Sequence, residues 1–526
     1  MTDQALTSPT RRKSRRGLTG SILVAAGLVA LAYVFRSDLG DLHAAVRGDH
    51  DGPLATVLRL GVLACLVYVV VVFALYIVLL LFAGLDSAIR NRQRGVEDFD
   101  ALEASRFTIP VSILSAVYNE APLVVRSTET LLRQQYPEYE VIVVDDGSTD
   151  GTFERLDEAF ALERQEVFFR RLFETRPLAG IYRSRRHPNL IVVRKLNGGK
   201  ADALNCGLNF ARYRYVLGVD GDTLYRSDAL LLGMRLVVRD PARVMAVTGM
   251  IAISNAPERV HDQEPGSRTV DASLFSVFQH LDYVRAFLAN RLAWSRLRFM
   301  LCTVGAFHIW RRDILEEVGG FSREFTCEDI EMTFRIHEKL RREGREYEVL
   351  CIPETVATTE GPARVGALIK QRARWQRVIM ETLVHYRRML ANPRYGSVGL
   401  VGVPFYVITE VAAPFLEVLA VLTLVLAIWA GVADPVLLAL VLGTMAFTTA
   451  TVTSSAVLLD DRTRRDYRLS SVVRSVLLAP LDLFLYRPIL FWARVRGTWD
   501  FLRGRRDWDK FERNRRPVEA QPRPEL

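Results

Sequence analysis

The stretch Val-Ile-Val-Val-Asp-Asp-Gly-Ser-Thr-Asp, residues 141–150, is an apolar run that ends in paired carboxylates and a glycine turn. Such a run predicts a buried strand, and similar runs stand at residues 111–114, 190–193 and 215–219. Helical patterns such as the one at residues 123–134 separate these runs. This alternation is typical of a mainly parallel sheet and predicts the α/β fold class.

Hydropathy divides the chain of 526 residues into five parts. Residues 1–90 hold a basic leader and two apolar runs, and residues 91–360 hold the predicted soluble α/β domain. Residues 361–397 form an amphipathic interface region, residues 398–495 a second membrane region, and residues 496–526 a basic tail. The pattern therefore predicts a soluble domain inserted between transmembrane helices.

The two apolar runs near the N-terminus, residues 18–35 and 60–85, contain no charged residue and predict a membrane hairpin. A secretory signal peptide is the rival interpretation of the first run. That run is longer than a typical signal core, and no small-residue cleavage site follows it. The basic residues between Arg11 and Arg16 place the N-terminus in the cytoplasm. We therefore expect a multi-pass protein of the cytoplasmic membrane, with the α/β domain in the cytoplasm.

The second membrane region is less regular than the hairpin. Residues 435–459 are uncharged and long enough to cross a bilayer, whereas the segment before them carries Glu410 and Glu417. Residues 469–492 contain three charged residues and two prolines, which favours a re-entrant or interfacial pair of helices. The sequence therefore predicts four crossings, with up to six if every segment spans.

The net charge of +9 raises the question of nucleic acid as a partner. Much of this charge lies in the leader and the tail, where basic residues beside apolar helices face anionic lipid. No recognised nucleic-acid module accompanies the basic runs, so we expect a lipid bilayer as partner and no nucleic acid. The arginine-rich stretch at residues 163–189 is interpreted as a solvated or membrane-facing insertion.

Two carboxylate pairs stand at the carboxyl ends of predicted strands. Asp145 and Asp146 lie where open α/β sheets collect ligands and could bind a ribose or a base edge. A plain turn with an Asx cap is the simpler alternative for this pair. Asp220 and Asp222 can face a hard divalent cation that is shared with substrate phosphates, which predicts Mg²⁺ or Mn²⁺ as cofactor. An isolated Asp-x-Asp is also common in loops.

A glycine-rich turn, Asn-Gly-Gly-Lys at residues 197–200, lies between these pairs. Glycines permit close backbone approach, and Lys200 at the start of a helix could meet a phosphate. The spacing is not that of a P-loop, which excludes that class of ATPase.

Two further clusters follow along the chain. Glu328 and Asp329 open a helical stretch, where they either favour the positive end of the helix dipole or supply a general base. Gln-Arg-Ala-Arg-Trp, residues 371–375, lies in an amphipathic run. Arg374 can neutralise a diphosphate, and Trp375 can offer a flat face to a sugar ring. An interface helix with a tryptophan anchor is the competing interpretation, and both can hold together.

In this order and membrane context, the four clusters resemble the signature of the processive family-2 glycosyltransferases, such as cellulose, hyaluronan, chitin and poly-N-acetylglucosamine synthases. The resemblance covers residues 111–377 and implies a GT-A-type nucleotide-sugar-binding domain. It implies that Asp145 and Asp146 hold the uridine, and that Lys200, Gln371 and Arg374 hold the diphosphate. Asp220 and Asp222 would bind the nucleotide and the metal, and Trp375, Gly305 and Ala306 the acceptor sugar. Asp329, preceded by Glu328, would be the catalytic base.

The same resemblance implies an inverting transfer from a UDP-sugar donor to a glycan acceptor, which builds a β-linked polysaccharide and exports it through the membrane. Accessory membrane subunits would be further partners. Cys327 departs from the threonine of many synthases, and the region after Trp375 has fewer clear spans than some polymer exporters have. The alternatives are a non-processive transferase with a lipid or polyprenyl-linked acceptor and an inactive relative that binds or exports glycan. The complete set of carboxylates argues against the inactive relative.

Overall fold

The structure is a computed structural model that describes residues 53–93, 108–166, 168–253, 273–429, 435–464 and 469–505. The predicted apolar run at residues 18–35 and the tail beyond residue 505 lie outside these ranges.

A ten-stranded sheet runs through the described part of the soluble domain, in the order β3-β4-β5-β2-β1-β6-β9-β8-β10-β7. Its strands are β1 (Val111–Val117), β2 (Tyr139–Asp145), β3 (Leu162–Arg164), β4 (Leu178–Ser184), β5 (Leu190–Lys195), β6 (Tyr215–Asp220), β7 (Leu224–Tyr225), β8 (Val244–Ile253), β9 (Phe307–Arg311) and β10 (Glu348–Thr359).

Helices pack against the sheet, and further helices precede and follow it in the sequence. They are α1 (Pro53–Gln93), α2 (Val124–Leu132), α3 (Thr152–Phe160), α4 (Lys200–Phe210), α5 (Ala229–Arg239), α6 (Leu274–Val284), α7 (Leu292–Arg296), α8 (Arg312–Glu317), α9 (Glu328–Arg342), α10 (Val365–His385), α11 (Val403–Tyr406), α12 (Ala412–Trp429), α13 (Pro435–Arg464), α14 (Leu469–Leu478), α15 (Asp482–Leu485) and α16 (Arg487–Leu502). A π-helical turn, Arg285–Arg291, links α6 to α7.

The centre of the sheet is parallel, because β5 pairs with β2, β2 with β1, and β1 with β6 in the same direction. Val117 pairs with Asp145 on one side of β1, and Ala116 pairs with Asp220 on the other. The two acidic strand ends therefore meet at one edge of the sheet. These strands are buried on both faces, which is why they appear in sequence as continuous apolar runs. The prediction of an α/β domain is confirmed.

The arginine-rich stretch at residues 163–189 differs from its interpretation as a solvated insertion. It contains β4, which pairs antiparallel with β5 and carries β3 on its outer side. In β4 only Gly180 and Ser184 are buried, while the residues between them are partly exposed. A strand near the sheet edge buries little of its surface, so arginines are tolerated there and conceal the strand pattern.

The described residues include three helical segments long and apolar enough to cross a membrane, at Thr56–Arg90, Val398–Trp429 and Val441–Asp461. A bent pair, Leu469–Leu485 and Arg487–Leu502, makes an angle of 47° and is either a broken span or a re-entrant loop. The structure therefore has long apolar helices on both sides of the α/β domain.

The last described helix, α16, packs along the amphipathic helix α10. Contact is close because Gly497 has no side chain. A Cβ atom there would lie 2.3 Å from the carbonyl oxygen of Ala373 and 2.7 Å from Cβ of Gln376. The glycine therefore sets the separation of the two helix backbones.

We expect Gly497→Ala to destabilise the protein by about 1–3 kcal/mol, because the added methyl meets backbone atoms that cannot rotate away. Thermal unfolding of the detergent-solubilised full chain would report this as a lower Tm. Gly366→Ala is the matched control, since it lies in α10 with no atom within 4 Å of the new Cβ. Equal Tm changes in the two variants would contradict this account of the packing.

Candidate active site

A cavity of about 880 Å³ lies at the carboxyl edge of the central strands. Residues that line it include Asp146, Lys200, Asp220, Asp222, Gly305, Ala306, Glu328, Asp329, Gln371, Arg374 and Trp375. The strand ends, the start of α9 and the middle of α10 thus bring side chains that are far apart in sequence into one space.

Asp145 does not line this cavity. Its side chain is fully buried, and Oδ1 accepts a hydrogen bond of 3.0 Å from the backbone N–H of Ser148. Nε of Arg194 lies 3.6 Å from Oδ2. Burial raises the pKa of Asp145, and the hydrogen bonds from Ser148 and the charge of Arg194 offset only part of this increase. In this conformation the residue caps its own turn, as in the simpler of the two interpretations.

Asp146 holds the glycine turn that precedes α4. Its carboxylate accepts N–H hydrogen bonds from Gly198 at 3.0 Å and from Gly199 at 2.7 Å, and it pairs with the Lys195 ammonium. Lys195 is buried and also lies 2.7 Å from Asp202. Sequence reasoning missed Lys195 and Asp202, although a lysine at the end of an apolar strand was a signal for a buried partner.

Lys200 occupies the centre of an ionic cluster. Its Nζ lies 2.6 Å from Oδ1 of Asp220 and 2.7 Å from Oε1 of Glu328, and it donates a 3.2 Å hydrogen bond to the carbonyl of Gly305. Burial and the neighbouring Asp222 raise the pKa of Asp220, against the effect of Lys200. Burial also acts to raise the pKa of Glu328, but Lys200 outweighs it and lowers that pKa. The lysine thus stabilises a concentration of negative charge.

Asp329 lies at the start of α9, where its carboxylate is held at both oxygens. Oδ1 accepts from the N–H of Ile330 at 2.7 Å, and Oδ2 accepts from the N–H of Gly305 at 3.0 Å. Burial and the adjacent Glu328 raise the pKa of Asp329 to about 6. A carboxylate with that pKa, facing a cavity, is suited to general-base chemistry near neutral pH.

Gly305 has no side chain, which allows Lys200 and Asp329 to approach its backbone closely. A Cβ atom there would lie 3.0 Å from Nζ of Lys200 and 3.1 Å from Oδ2 of Asp329. Its own N–H and C=O are both used, one for Asp329 and one for Lys200. The loop before β9 therefore joins the lysine and the carboxylate through one backbone unit.

Asp220 and Asp222 both line the cavity, and their carboxylates can be compared with what a divalent cation requires. Asp222 raises the pKa of Asp220, as expected for two carboxylates in one site. Across the described ranges, no group of three or more His, Cys, Asp or Glu residues is arranged to hold a metal. Magnesium in enzymes is often held by one or two carboxylates, with substrate phosphates and water as further ligands. The two aspartates match that kind of site.

Tyr225 is another residue that sequence reasoning missed. Its hydroxyl donates to the carbonyl of Ala306 at 2.9 Å and accepts from the N–H of Asp220 at 3.1 Å. The side chain is buried and gives no motif signal, because a tyrosine in a short strand is an ordinary core residue. It ties the end of β6 to the loop before β9.

Gln371, Arg374 and Trp375 line the cavity from α10. The Trp375 ring lies 6.3 Å from the Tyr283 ring and tilts by 51° relative to it. The Arg372 guanidinium stacks 4.2 Å from the Trp375 ring centroid. Neither Tyr283 nor Arg372 was predicted as a site residue.

A second cavity, of about 480 Å³, lies between α1, α12, α13 and α16. Its lining is mostly apolar, with residues such as Val69, Leu424 and Met445. It shares four lining residues with the first cavity, namely Tyr76, Arg285, Arg487 and Arg494. The two spaces therefore meet at three guanidinium groups.

The chain is similar in sequence to known proteins. Residues 112–319 match the family described as "Glycosyl transferase family 2". The poly-beta-1,6-N-acetyl-D-glucosamine synthase of Staphylococcus epidermidis is 26% identical over 265 residues, which cover 50% of this chain and 53% of that protein. The chain thus spans about half the length of the curated relatives it matches.

Two solved structures are also similar. The mannosyltransferase PcManGT from Pyrobaculum calidifontis, in complex with GDP-Man and Mn²⁺, is 19% identical with a TM-score of 0.49, covering 82% of this chain and 99% of its own. S. aureus TarS 1–349, in complex with UDP-GlcNAc, is 16% identical with a TM-score of 0.36, covering 79% of this chain and 98% of its own.

Proposed function

The chain carries a Glycosyl transferase family 2 domain, and from that premise we propose that it transfers a sugar, with inversion, from a UDP-sugar to a growing β-linked polysaccharide at the cytoplasmic face of a membrane. One observation carries the proposal: Asp222, Asp329 and Arg374, which come from three separate elements, line a single cavity. Long apolar helices on both sides of the domain and the basic leader support the cytoplasmic membrane location.

The donor side of the cavity carries the charges that a nucleotide diphosphate requires. Lys200 and Arg374 are cationic groups on its wall. Asp146 organises the glycine turn before α4, and the N-terminus of that helix can face a phosphate. A Mg²⁺ or Mn²⁺ ion held by Asp220 and Asp222 would offset the negative charge of the diphosphate. The uridine is assigned to the strand end at Asp145 and Asp146, with Asp145 acting through the turn it caps.

Asp329 is proposed as the catalytic base. An acceptor hydroxyl beside its carboxylate gives up its proton to Asp329 as the hydroxyl oxygen attacks the anomeric carbon. The bond from that carbon to the diphosphate oxygen breaks in the same displacement, and UDP leaves with the electron pair. One displacement inverts the anomeric configuration, so an α-linked donor yields a β-linked product.

Asp329→Asn tests this assignment, because it preserves shape while removing the base. We expect transfer to fall by about 10²–10⁴-fold while UDP-sugar binding is retained. The assay is sugar transfer by the purified chain with UDP-glucose, UDP-N-acetylglucosamine or UDP-glucuronate. Glu324→Gln, an exposed carboxylate shortly before α9, is the control and should behave as wild type. An Asp329→Asn variant with full activity would overturn the proposal.

The pKa of Asp329 predicts a pH dependence of the same reaction. Because the base must be ionised, kcat/KM should be constant above the pKa of about 6 and fall about tenfold per pH unit below it. Glu328→Gln removes a charge that raises this pKa, so its acid limb should move to lower pH. A profile without an acid limb between pH 5 and pH 7 would contradict the role of Asp329.

A second acceptor class has its own supporting observation. The apolar lining of the second cavity suits a hydrocarbon chain better than a hydrated glycan, and this cavity adjoins the first. A non-processive transferase that glycosylates a lipid or polyprenyl-linked acceptor would use such a space. It would need the same donor residues and the same base.

Product size separates the two acceptors. Purified protein with donor alone should yield a polymer, because the growing end remains at Trp375 while the next donor binds. If activity depended strictly on an added lipid acceptor and gave only single-sugar products, the acceptor would be the lipid-linked one and the polysaccharide proposal would be wrong. Analysis of radiolabelled products by size, with Asp329→Asn as the blank, makes the measurement.

A further inference from the structure

Trp375 is held on one side by a cation. The Arg372 guanidinium carbon lies 4.2 Å from the centroid of the indole and 5.5 Å from the centroid of the Tyr283 ring. Guanidinium groups stack favourably on aromatic faces. Arg372 therefore covers part of the indole, and a ligand that stacks on Trp375 must approach from the cavity that this residue lines.

Asp282 holds Arg372 in that position. Oδ2 of Asp282 lies 2.7 Å from Nη2 of Arg372, and the two side chains are only 14% and 13% exposed. The second oxygen of the same carboxylate accepts a 2.8 Å hydrogen bond from Arg285. Burial acts to raise the pKa of Asp282, but Arg372, Arg285 and Arg487 outweigh it and lower the pKa to about 2. Asp282 therefore remains ionised throughout the working range of pH.

The ion pairs continue from Asp282 to a second buried carboxylate. Arg285, the first residue of the π-helical turn, donates a 3.0 Å hydrogen bond to Asp482, whose side chain is fully buried. Arg487, at the start of α16, lies 3.2 Å from the same carboxylate. The alternating charges compensate one another, so each partner limits the movement of the next. Arg372 is thus attached to a rigid network rather than to one flexible side chain.

We propose that Arg372 and Asp282 are positioning residues that fix the Trp375 indole so that the part of the ring lining the cavity receives the acceptor sugar. The inference rests on the proposed function, since it takes Trp375 as the acceptor platform. A platform that is already ordered does not have to be ordered by the ligand, which strengthens binding. Loss of the Arg372 guanidinium should therefore weaken binding of the acceptor and leave binding of the donor unchanged.

Kinetics of the full chain in detergent provide the test. Arg372→Gln is expected to raise the KM for an acceptor oligosaccharide by about three- to tenfold, with the KM for the UDP-sugar unchanged. Arg372→Lys, which keeps the charge beside Asp282, should restore part of the loss. Asp282→Asn should shift the acceptor KM in the same direction as Arg372→Gln. Lys370→Gln removes an exposed charge from the same helix and serves as the matched control.

A binding measurement separates positioning from catalysis. In the Asp329→Asn background, affinity for β-linked tetrasaccharides of glucose and of N-acetylglucosamine should fall by the same factor when Arg372→Gln is added. If neither probe binds the parent protein, product length from donor alone decides, and shorter chains are expected. Equal acceptor KM, affinity or chain length in Arg372→Gln and Lys370→Gln would overturn the proposal.

Two further outcomes have distinct meanings. If wild-type protein makes no product that Asp329→Asn abolishes, the proposed function itself fails, before any Arg372 variant is considered. If Arg372→Gln loses donor and acceptor binding together and its Tm falls, while Arg372→Lys restores none of the loss, the residue has only a structural role and the positioning proposal is wrong.

Discussion

The ammonium group of Lys200 is the contact on which the rest of the site depends. It lies between Asp220 at the end of β6, Glu328 at the start of α9 and the carbonyl of Gly305. Without a cation at this point, two carboxylates would face each other in a poorly solvated space, at a cost of several kcal/mol. The lysine therefore both satisfies the acids and sets the distance between three parts of the chain.

Support for this contact comes from a second set of polar bonds around it. Asp146 and Lys195 fix the turn from which α4 begins, so the backbone of Lys200 is placed by buried polar groups rather than by its own charge partners. Tyr225 similarly joins β6 to the loop that ends in Ala306. The polar atoms of the site are thus ordered by this second set of bonds, an arrangement suited to holding reactive groups in one geometry.

Local patterns predicted the central strands and the acidic clusters because each of these features is contained in a few consecutive residues. The runs at residues 111–114 and 141–144 appear as β1 and β2, and Asp146, Asp220 and Asp329 face one cavity. Contacts that depend on distant pairing were not predictable in this way. Arg372 pairs with Asp282, which stands ninety positions earlier in the chain, and no local pattern around either residue predicts the pair. The strand β4 was missed because it is only partly buried and lies in an arginine-rich stretch, so it shows no continuous apolar run.

The missing side chain at Gly305 limits how this site can diversify. Since a Cβ atom there would lie 3.0 Å from Nζ of Lys200 and 3.1 Å from Oδ2 of Asp329, a larger residue would have to displace these charged groups. Side chains of several sizes from α10, together with Tyr283, line the same cavity, and substitutions there can change its shape without meeting Lys200 or Asp329 at Gly305. Relatives that handle different sugars should accordingly differ on the helical side and agree on the loop.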